Sequence, residues 1–272
     1  MPSAALRPPF QYFGAKTRLA RKIVSLFPEH RHYVEPFAGS LAVLLAKPPS
    51  MVETVNDLDG EITCFWRSLR DHPEELIRAC SLTPSSRAEY ELCADRSDAL
   101  DDVERARRVW VWFTQGRTGT FQRNGWRRFV KEGSLSNDLE RYASRLGPVA
   151  ARLKRVNLEC RDALDVIKAH GRDPSTLLYV DPPYISETRK SYYRCEMRDD
   201  DQHTALAEAL RACQAAVILS GYPSDLYDQR LYKDWHRAEF PAWTTQCNEM
   251  RERTEVVWSN RPLPSADAQH QN

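Results

Sequence analysis

The sequence lacks several features that would assign it to a particular class of protein. It carries 39 basic and 38 acidic residues, so no overall positive charge marks its surface for nucleic acid. No apolar run approaches the ~20 residues that a membrane-spanning helix requires, and no secretory signal is visible. The seven cysteines form no C-x-x-C pair, and no histidine is spaced to complete a zinc site. We therefore expect a cytoplasmic protein with reduced thiols and no bound metal.

Short apolar runs alternate with helical patterns in two parts of the chain. This alternation predicts a mostly parallel, doubly wound α/β sheet. The predicted strands are 32–36, 52–56, 156–160, 177–180 and 216–220, and the predicted helices are 15–27, 40–46, one from Leu58 to Leu69 and one around Leu206 and Leu210. Two later runs, "HRAEF" and "TEVVWSN", have no helix between them and predict an antiparallel pair at the sheet edge.

Residues 72–155 interrupt this alternation, because their pattern is helical with one compact turn. We predict that they form an inserted, mainly helical lobe, and that 10–71 and 156–260 together form the sheet domain. The two ends, 1–9 and 261–272, are rich in proline or polar residues and lack periodicity, so we predict flexible tails.

The stretch "LLYVDPPYIS" ends a predicted buried strand with Asp181, Pro182, Pro183 and Tyr184. Prolines cannot donate to a strand ladder, so the carbonyls beside them can face a ligand. A carboxylate, free carbonyls and an aromatic face at the carboxyl end of a strand suit a flat base that bears an amine. An ordinary strand-to-loop turn with a surface tyrosine explains these four residues equally well.

Two further motifs follow predicted strands. "VEPFAGS" places Glu35 at a strand end, before a tight turn at Gly39, and "VNDLD" places Asp57 at the end of the next strand. Asp57 stands at the position where α/β proteins bind a ribose hydroxyl, although an N-cap of the following helix is its alternative role. Together the two motifs favour a nucleoside cofactor. No G-x-G-x-x-G follows the first strand, which disfavours a nicotinamide-dependent oxidoreductase.

Four segments carry a family resemblance. "YFGAKTRLARKI", "VEPFAGSLAVLL", "VNDLDGEI" and "LYVDPPY" occur in the order and approximate spacing of the Dam-like N6-adenine DNA methyltransferases, which they resemble. The resemblance implies S-adenosylmethionine as methyl donor, and cofactor contacts at Tyr12, Lys16, Phe37, Ala38, Gly39, Asp57, Asp162 and Asp181. The sequence differs from the usual family pattern at Leu41, where a second glycine is usual.

The resemblance also implies how the D-P-P-Y residues act. A target adenine is flipped out of the duplex and stacks on Tyr184, while Asp181 and the carbonyl of Pro182 accept hydrogen bonds from its N6 amine. Methylation of cytosine N4 or of an RNA base remains an alternative, since both present an exocyclic amine. A DNA-binding protein that keeps the fold without turnover is another alternative. The implied partner is double-stranded DNA, bound by a monomer or weak dimer, and no residue pattern identifies a cognate restriction endonuclease.

Within the predicted lobe, residues 105–131 contain eight basic residues and no acid. Such clustering indicates a phosphate-facing strip. "TFQRNGWRRFV" contains Asn124-Gly125 between β-prone arms and predicts a two-residue hairpin that enters a DNA groove. The alternative is a hairpin whose aromatic rings pack on the lobe. The predicted DNA contacts are Arg105, Arg107, Arg108, Arg117, Phe121, Arg123, Asn124, Trp126, Arg127, Arg128 and Lys131.

Overall fold

The computed structural model describes residues 5–97, 100–122, 125–127, 135–184, 197, 199–246 and 249–264, with the main chain alone for 242–252. In this part of the chain, seven strands form one sheet in the order β3-β2-β1-β4-β5-β7-β6. The strands are β1 His32–Glu35, β2 Val52–Asn56, β3 Val156–Glu159, β4 Thr176–Val180, β5 Ala216–Gly221, β6 His236–Gln246 and β7 Glu249–Ser259. β1 to β5 pair in parallel, and β7 runs antiparallel to both β5 and β6. The predicted strands and the antiparallel edge pair are confirmed.

The helices of the described residues connect these strands and form the lobe. They are α1 Ala20–Val24, α2 Ala42–Ala46, α3 Gly60–Asp71, α4 Pro73–Ser81, α5 Arg87–Leu92, α6 Asp102–Gln115, α7 Leu135–Leu153, α8 Ala163–His170 and α9 Asp200–Arg211, with a π-helical turn at Leu226–Leu231. Aspartate or serine side chains cap several of them; Asp59, for example, accepts a hydrogen bond from the Glu61 amide at 2.9 Å. None of these helices has the length and apolar composition needed to cross a membrane.

Helices cover both faces of the sheet. Because successive strand residues point to opposite faces, the central strands contribute to two separate buried clusters. Tyr33 and Leu177 lie in the cluster that contains residues of α1 to α7, whereas Val34 and Leu178 lie in the cluster that contains residues of α8 and α9. The prediction of a doubly wound α/β sheet is confirmed.

The segment predicted as a lobe is helical, and it shares its core with the sheet domain. The ring of Phe113 on α6 stacks on Phe10 at 5.3 Å, and Trp110 Nε1 donates to the carbonyl oxygen of Pro9 at 2.9 Å. Residues 8–10 are buried by these contacts. The prediction that 1–9 form a flexible tail is therefore wrong for residues 8 and 9, because their carbonyls accept hydrogen bonds from the lobe.

Two predicted helices begin later than expected. The helical pattern over 15–27 gives a helix only at Ala20–Val24, and the stripe that begins at Leu58 gives a helix that begins at Gly60. Leu58 is 50% exposed, so it does not belong to the buried face of α3. In both places the residues before the helix line a cavity instead, as described below.

The predicted phosphate-facing arginines of α6 have internal partners. This helix runs through the lobe with one face against α3, and Arg108 is 8% exposed. Their guanidinium groups neutralise buried or half-buried carboxylates, which explains the local excess of basic residues without DNA. The prediction that these three arginines meet phosphates is wrong. The ion pairs join Arg105 to Glu61 at 3.0 Å, Arg107 to Glu89 at 2.6 Å and Arg108 to Glu104 at 2.7 Å.

The predicted two-residue hairpin is wrong in its pairing. Trp126 forms an antiparallel bridge with Gly116, and the Arg127 amide donates to the Gln115 carbonyl at 2.8 Å. The arm that contains Phe121 is therefore not the strand partner. Its ring lies 4.7 Å from that of Phe113, because packing against the lobe core removes its apolar surface from water.

The aromatic and basic side chains near this bridge also pack on the lobe. Trp126 Nε1 donates to Gln115 Oε1 at 3.1 Å, as the alternative interpretation of the hairpin predicts. Arg127 pairs with Asp138 at 3.0 Å, so the prediction that it contacts DNA is wrong. Arg117 is exposed and stays a predicted DNA contact. The predicted contacts at Arg123, Asn124, Arg128 and Lys131 lie outside the described residues.

Candidate active site

A cavity opens at the carboxyl ends of β1, β2 and β4. The strand order reverses between β1 and β4, which is the point where open α/β sheets bind ligands. The cavity has a volume of about 270 Å³, and its lining includes all eight residues predicted to contact a cofactor: Tyr12, Lys16, Phe37, Ala38, Gly39, Asp57, Asp162 and Asp181. The fold thus brings them together. That each of them contacts a cofactor stays a prediction.

The turn after β1 is held from several sides. Gly39 has φ +45°, and a Cβ atom on it would lie 2.8 Å from Cε1 of Tyr12. Only glycine combines this backbone conformation with so close an approach. The Gly39 carbonyl accepts from Trp66 Nε1 at 2.8 Å, and the Ala38 amide donates to the Asn56 carbonyl at 2.9 Å. The turn therefore forms a rigid wall of the cavity.

Leu41 adopts a left-handed conformation, with φ 57° and ψ 26°. It is a non-glycine residue with positive φ, and it stands where the resembled family has glycine. The conformation costs about 1–2 kcal/mol for a residue with a Cβ atom. Complete burial of the leucine side chain offsets this cost. Leu41 therefore preserves the turn that a second glycine would make, while its side chain joins the core rather than the cavity lining.

Asp57 links the ends of the first two strands. Its Oδ2 accepts from the Gly39 amide at 2.7 Å, and its Oδ1 accepts from the Asp59 amide at 2.9 Å. Burial raises the pKa of Asp57 to about 6, although both amides favour its charged form. A carboxylate has about four acceptor positions, so the two amides leave capacity for a ligand hydroxyl. The alternative in which Asp57 caps α3 is wrong, because Asp59 is the N-cap.

Two more residues shape the rim near β3. Asp162 caps α8, since its Oδ1 accepts from the Leu164 amide at 2.8 Å. Asn56 is buried, and its side-chain amide donates to the carbonyl oxygens of Pro36 at 2.9 Å and Arg161 at 3.0 Å. Asn56 thereby ties the loops after β1 and β3 together. This role of Asn56 was not predicted from the sequence, although a polar residue at the end of a buried strand could have indicated it.

Asp181 is the meeting point of several polar groups. Lys16 Nζ lies 2.8 Å from both of its carboxylate oxygens, and the Tyr184 hydroxyl lies 2.8 Å from Oδ1. Lys16 is buried and stands 4.7 Å from the centroid of the Tyr184 ring. Tyr184 also contacts Tyr222 edge to face at 4.6 Å. The carboxylate that the sequence predicts for binding an amine thus already binds a cationic amine of the chain itself.

Two buried acids lie near Asp181: Glu35, which the sequence places at a strand end without a role, and Glu255, which was not predicted as a site residue. Glu255 on β7 lies 2.6 Å from the Tyr184 hydroxyl and 3.6 Å from Lys16 Nζ. Glu35 at the end of β1 accepts from the Tyr33 hydroxyl at 2.8 Å and lines the cavity. Burial raises the pKa of Glu255 to about 7 and that of Glu35 to about 8. A single acid inside an apolar strand run, as in "TEVVWSN", was the available signal.

The chemistry of the lining fits the cofactor that the resemblance implies. Carboxylates at Asp57 and Asp162 can accept hydrogen bonds from ribose hydroxyls and from an adenine amine. Phe37 and Leu164 supply apolar surface for a flat ring, and Asp181 lines the same cavity, where a carboxylate favours a cationic sulfonium. No residue of the described lining contradicts this fit.

Comparison with known sequences agrees with the motifs. The family model of the D12 class N6 adenine-specific DNA methyltransferases matches residues 12–247. A curated relative, the Type II methyltransferase M1.LlaDCHI of Lactococcus lactis subsp. cremoris, is 28% identical over 276 residues, which cover 94% of this chain and 95% of that protein.

Solved structures resemble this chain more distantly. A SAM-dependent methyltransferase from Agrobacterium tumefaciens matches with a TM-score of 0.40 and 9% identity, over 89% of this chain but only 59% of that protein. An rRNA methylase from Streptococcus thermophilus matches with a TM-score of 0.38 and 6% identity, over 90% of this chain and 96% of that one.

The left-handed conformation of Leu41 can be tested by two substitutions. Both Leu41→Gly and Leu41→Ala remove buried apolar surface, but only glycine also removes the strain. We expect Leu41→Gly to be the more stable variant by up to about 1 kcal/mol, the reverse of the usual preference for alanine. Both should unfold about 1–4 kcal/mol more easily than the parent chain. Denaturant titration measures the difference, and a more stable alanine variant would contradict the assigned backbone conformation.

The raised pKa of Glu35 predicts a pH dependence of stability. The folded state binds a proton on Glu35 up to about pH 8, whereas the ordinary pKa of glutamate is 4.5. Between these values the folded state holds more protons than the unfolded state, so the free energy of unfolding falls as pH rises. Glu35→Gln cannot titrate and should lose less stability between about pH 6 and about pH 9. Exposed Glu29→Gln is the control, and equal pH slopes for Glu35→Gln and the parent chain would refute the buried, protonated acid.

Proposed function

Because the chain belongs to the D12 class of N6-adenine-specific DNA methyltransferases, we propose that its cavity holds the methyl donor while Asp181 and Tyr184 hold a flipped-out adenine. The protein is an enzyme that methylates N6 of adenine in DNA with S-adenosylmethionine. Membership of this family removes the alternatives of cytosine N4 and RNA-base methylation. The proposal concerns which residues of this chain carry out the reaction.

One observation carries the proposal: the carboxylate of Asp181 stands at the edge of the cavity with N–H and O–H donors already directed at it. Lys16 Nζ lies 2.8 Å from each of its oxygens. An acceptor that holds a cationic amine in the free chain has the charge and geometry to accept an adenine amine. Lys16 or Tyr184 has to yield one of its positions when the base enters.

The target adenine must leave the duplex before it reaches Asp181. Flipping costs a few kcal/mol, which stacking and hydrogen bonds to the base edge offset. We propose that Tyr184 stacks on the extruded base and that Pro182 and Pro183 shape the loop so that the carbonyl of Pro182 accepts from the amine. The cation Lys16 beside the Tyr184 ring and the ring of Tyr222 support the aromatic platform.

Transfer then depends on positioning. S-adenosylmethionine supplies an electrophilic methyl group on a cationic sulfur. The acceptors at Asp181 and Pro182 turn the lone pair of the amine out of conjugation with the ring and toward the cavity, which favours a near-attack geometry. Asp57 and Asp162 are proposed to bind the ribose and adenine of the donor, and the Gly39 turn is proposed to hold its methionine part. Asp181 need not be a strong base, because the nitrogen loses its proton after it has become cationic.

We further propose that residues 72–155 form the target-recognition lobe. The arginines of α6 pair with carboxylates inside the lobe. Arg117, which follows α6 and is exposed, therefore stays a candidate DNA contact. The relative in Lactococcus lactis bears the name of a Type II methyltransferase. That name supports the proposal that this chain protects a specific site from a cognate restriction endonuclease, acting on duplex DNA as a monomer or weak dimer.

Asp181→Asn tests the proposed role of the carboxylate. The substitution keeps the size of the side chain but removes its charge, so we expect methyl transfer to fall by about 10²- to 10⁴-fold while S-adenosylmethionine affinity changes only a few-fold. Labelled methyl incorporation into duplex DNA and calorimetry measure the two quantities. Asp173→Asn, an exposed site before the opposite end of β4, is the matched control. Near-parental turnover in the Asp181 variant would refute the mechanism.

The DNA contact proposed for Arg117 can be separated from the structural role of Arg107. We expect Arg117→Ala to reduce the salt slope of duplex binding by about one unit with little change in stability. Arg107→Ala breaks ion pairs to Glu89 and Glu104, both at 2.6 Å, and should lower the free energy of unfolding by about 1–3 kcal/mol without changing that slope. Anisotropy titrations at two salt concentrations and denaturant titrations distinguish them. A reduced slope for Arg107→Ala alone would reverse the assignment.

A further inference from the structure

Glu255 is a buried acid that the mechanism above does not use. It lies on β7 with a side chain 4% exposed, followed by the apolar residues 256–258. Burying a carboxyl group in such a strand is costly unless it is paired. Its closest described contact is the Tyr184 hydroxyl at 2.6 Å, and the same hydroxyl lies 2.8 Å from Asp181 Oδ1. Tyr184 therefore bridges the two carboxyl groups.

The Tyr184 bridge requires one proton more than the tyrosine hydroxyl and two ionised carboxylates supply. A tyrosine hydroxyl has one hydrogen, yet both of its contacts with carboxyl oxygens are of hydrogen-bond length. If both acids were ionised, one contact would bring two oxygens together with no hydrogen between them. Lys16 Nζ lies 2.8 Å from Asp181 but 3.6 Å from Glu255, so its positive charge compensates Asp181 more closely and leaves Glu255 as the acid that carries the additional proton. This geometry is therefore that of the bridge after Glu255 has accepted a proton, and Glu255 has to release that proton before it can accept another.

We propose that Glu255 receives, through the Tyr184 hydroxyl, the proton that the adenine amine loses during methyl transfer. This inference rests on the proposed function. Glu255 does not touch the base, so it acts as a positioning residue for a proton path. Burial raises the pKa of Glu255 to about 7, which lets it lose and regain a proton near neutral pH.

The proposed step balances. The lone pair of N6 forms the new N–C bond as the S–C bond breaks, and the electron pair of that bond stays on sulfur. The positive charge is then on nitrogen, where one N–H bond breaks and returns its electrons to nitrogen while the proton goes to Asp181. Asp181 passes this proton to the Tyr184 oxygen as the hydroxyl hydrogen moves to Glu255. Glu255 becomes neutral and must release the proton to water before the next turnover.

The surroundings of Glu255 determine its response to pH. Lys16, from the segment before α1, favours its ionised form, whereas Asp181, after β4, favours its neutral form. Tyr184 bonds to it directly, and the buried Tyr179 on β4 bonds to Ser220 at 3.1 Å. On β6 its register partner is the uncharged Phe240. Since Glu255 must be ionised to accept a proton, methyl transfer should weaken as pH falls through about 7.

Glu255→Gln tests the path, because glutamine keeps the size of the side chain and can accept from Tyr184 but cannot take up a proton. We expect its single-turnover methylation rate to fall by roughly tenfold or more, and we expect the variant to lack the decline below about pH 7 that is predicted for the parent enzyme. Tyr184→Phe should remove the same decline. The control is Glu239→Gln on the neighbouring strand β6, an exposed glutamate paired with Arg237, which should keep the parental rate and profile.

A second measurement does not depend on turnover. In a Glu35→Gln background, which removes the other buried glutamate with a raised pKa, infrared difference spectra should contain a protonated-carboxyl band that disappears as pH rises through about 7, and adding Glu255→Gln should remove this band. Persistence of that band in the variant would overturn the proposal. A parental methylation rate and pH profile in Glu255→Gln, with Asp181→Asn inactive, would overturn the proton path alone. Full activity of Asp181→Asn would instead refute the proposed function. If Glu255→Gln does not fold, an unchanged pH profile in Tyr184→Phe overturns the path.

Discussion

The ion pair between Lys16 and Asp181 joins parts of the chain that are 165 residues apart. It ties the segment before α1 to the loop after β4, and residues of both segments line the cavity. The two side chains are 6% and 18% exposed, so water screens their attraction weakly. Breaking a buried pair of this kind leaves an uncompensated charge and costs about 3–5 kcal/mol. The shape of the cavity and the position of the acceptor carboxylate therefore depend on one contact.

The same contact organises the charges of the site. Burial raises the pKa of both Glu255 and Glu35, and the nearby charge of Asp181 raises both further. Lys16 compensates Asp181 most closely because it contacts both of its oxygens. The result is one acceptor paired with a lysine beside two acids whose pKa values are raised to about 7 and about 8. A site arranged in this way can bind both a cationic donor and an amine without an excess of buried negative charge.

The sheet and the strand ends that line the cavity could be predicted from the sequence, because these strand ends are marked locally by Gly39, Asp57 and the D-P-P-Y loop. The partners of the α6 arginines could not be predicted from the sequence. A run of basic residues has the same appearance whether it faces phosphate or, as Arg107 does, buried carboxylates brought close by the fold. The hairpin prediction failed for a similar reason, since Phe121 has high strand propensity but gains more from contact with Phe113 than from a ladder. Glu255 could not be assigned because its partners come from distant segments.

Gly119 explains why the lobe and the cavity belong to one structure. Its carbonyl accepts from the Phe13 amide at 2.7 Å, and a Cβ atom on it would lie 2.9 Å from backbone atoms of Tyr12 and Phe13. The ring of Tyr12 in turn lies against Gly39, where a Cβ atom would approach it to 2.8 Å. Two glycines therefore allow the lobe, the amino-terminal segment and the turn after β1 to be in successive contact. Side chains at either position would separate these layers, so the lobe that is proposed to read DNA is built directly onto the wall of the cavity that is proposed to hold the methyl donor.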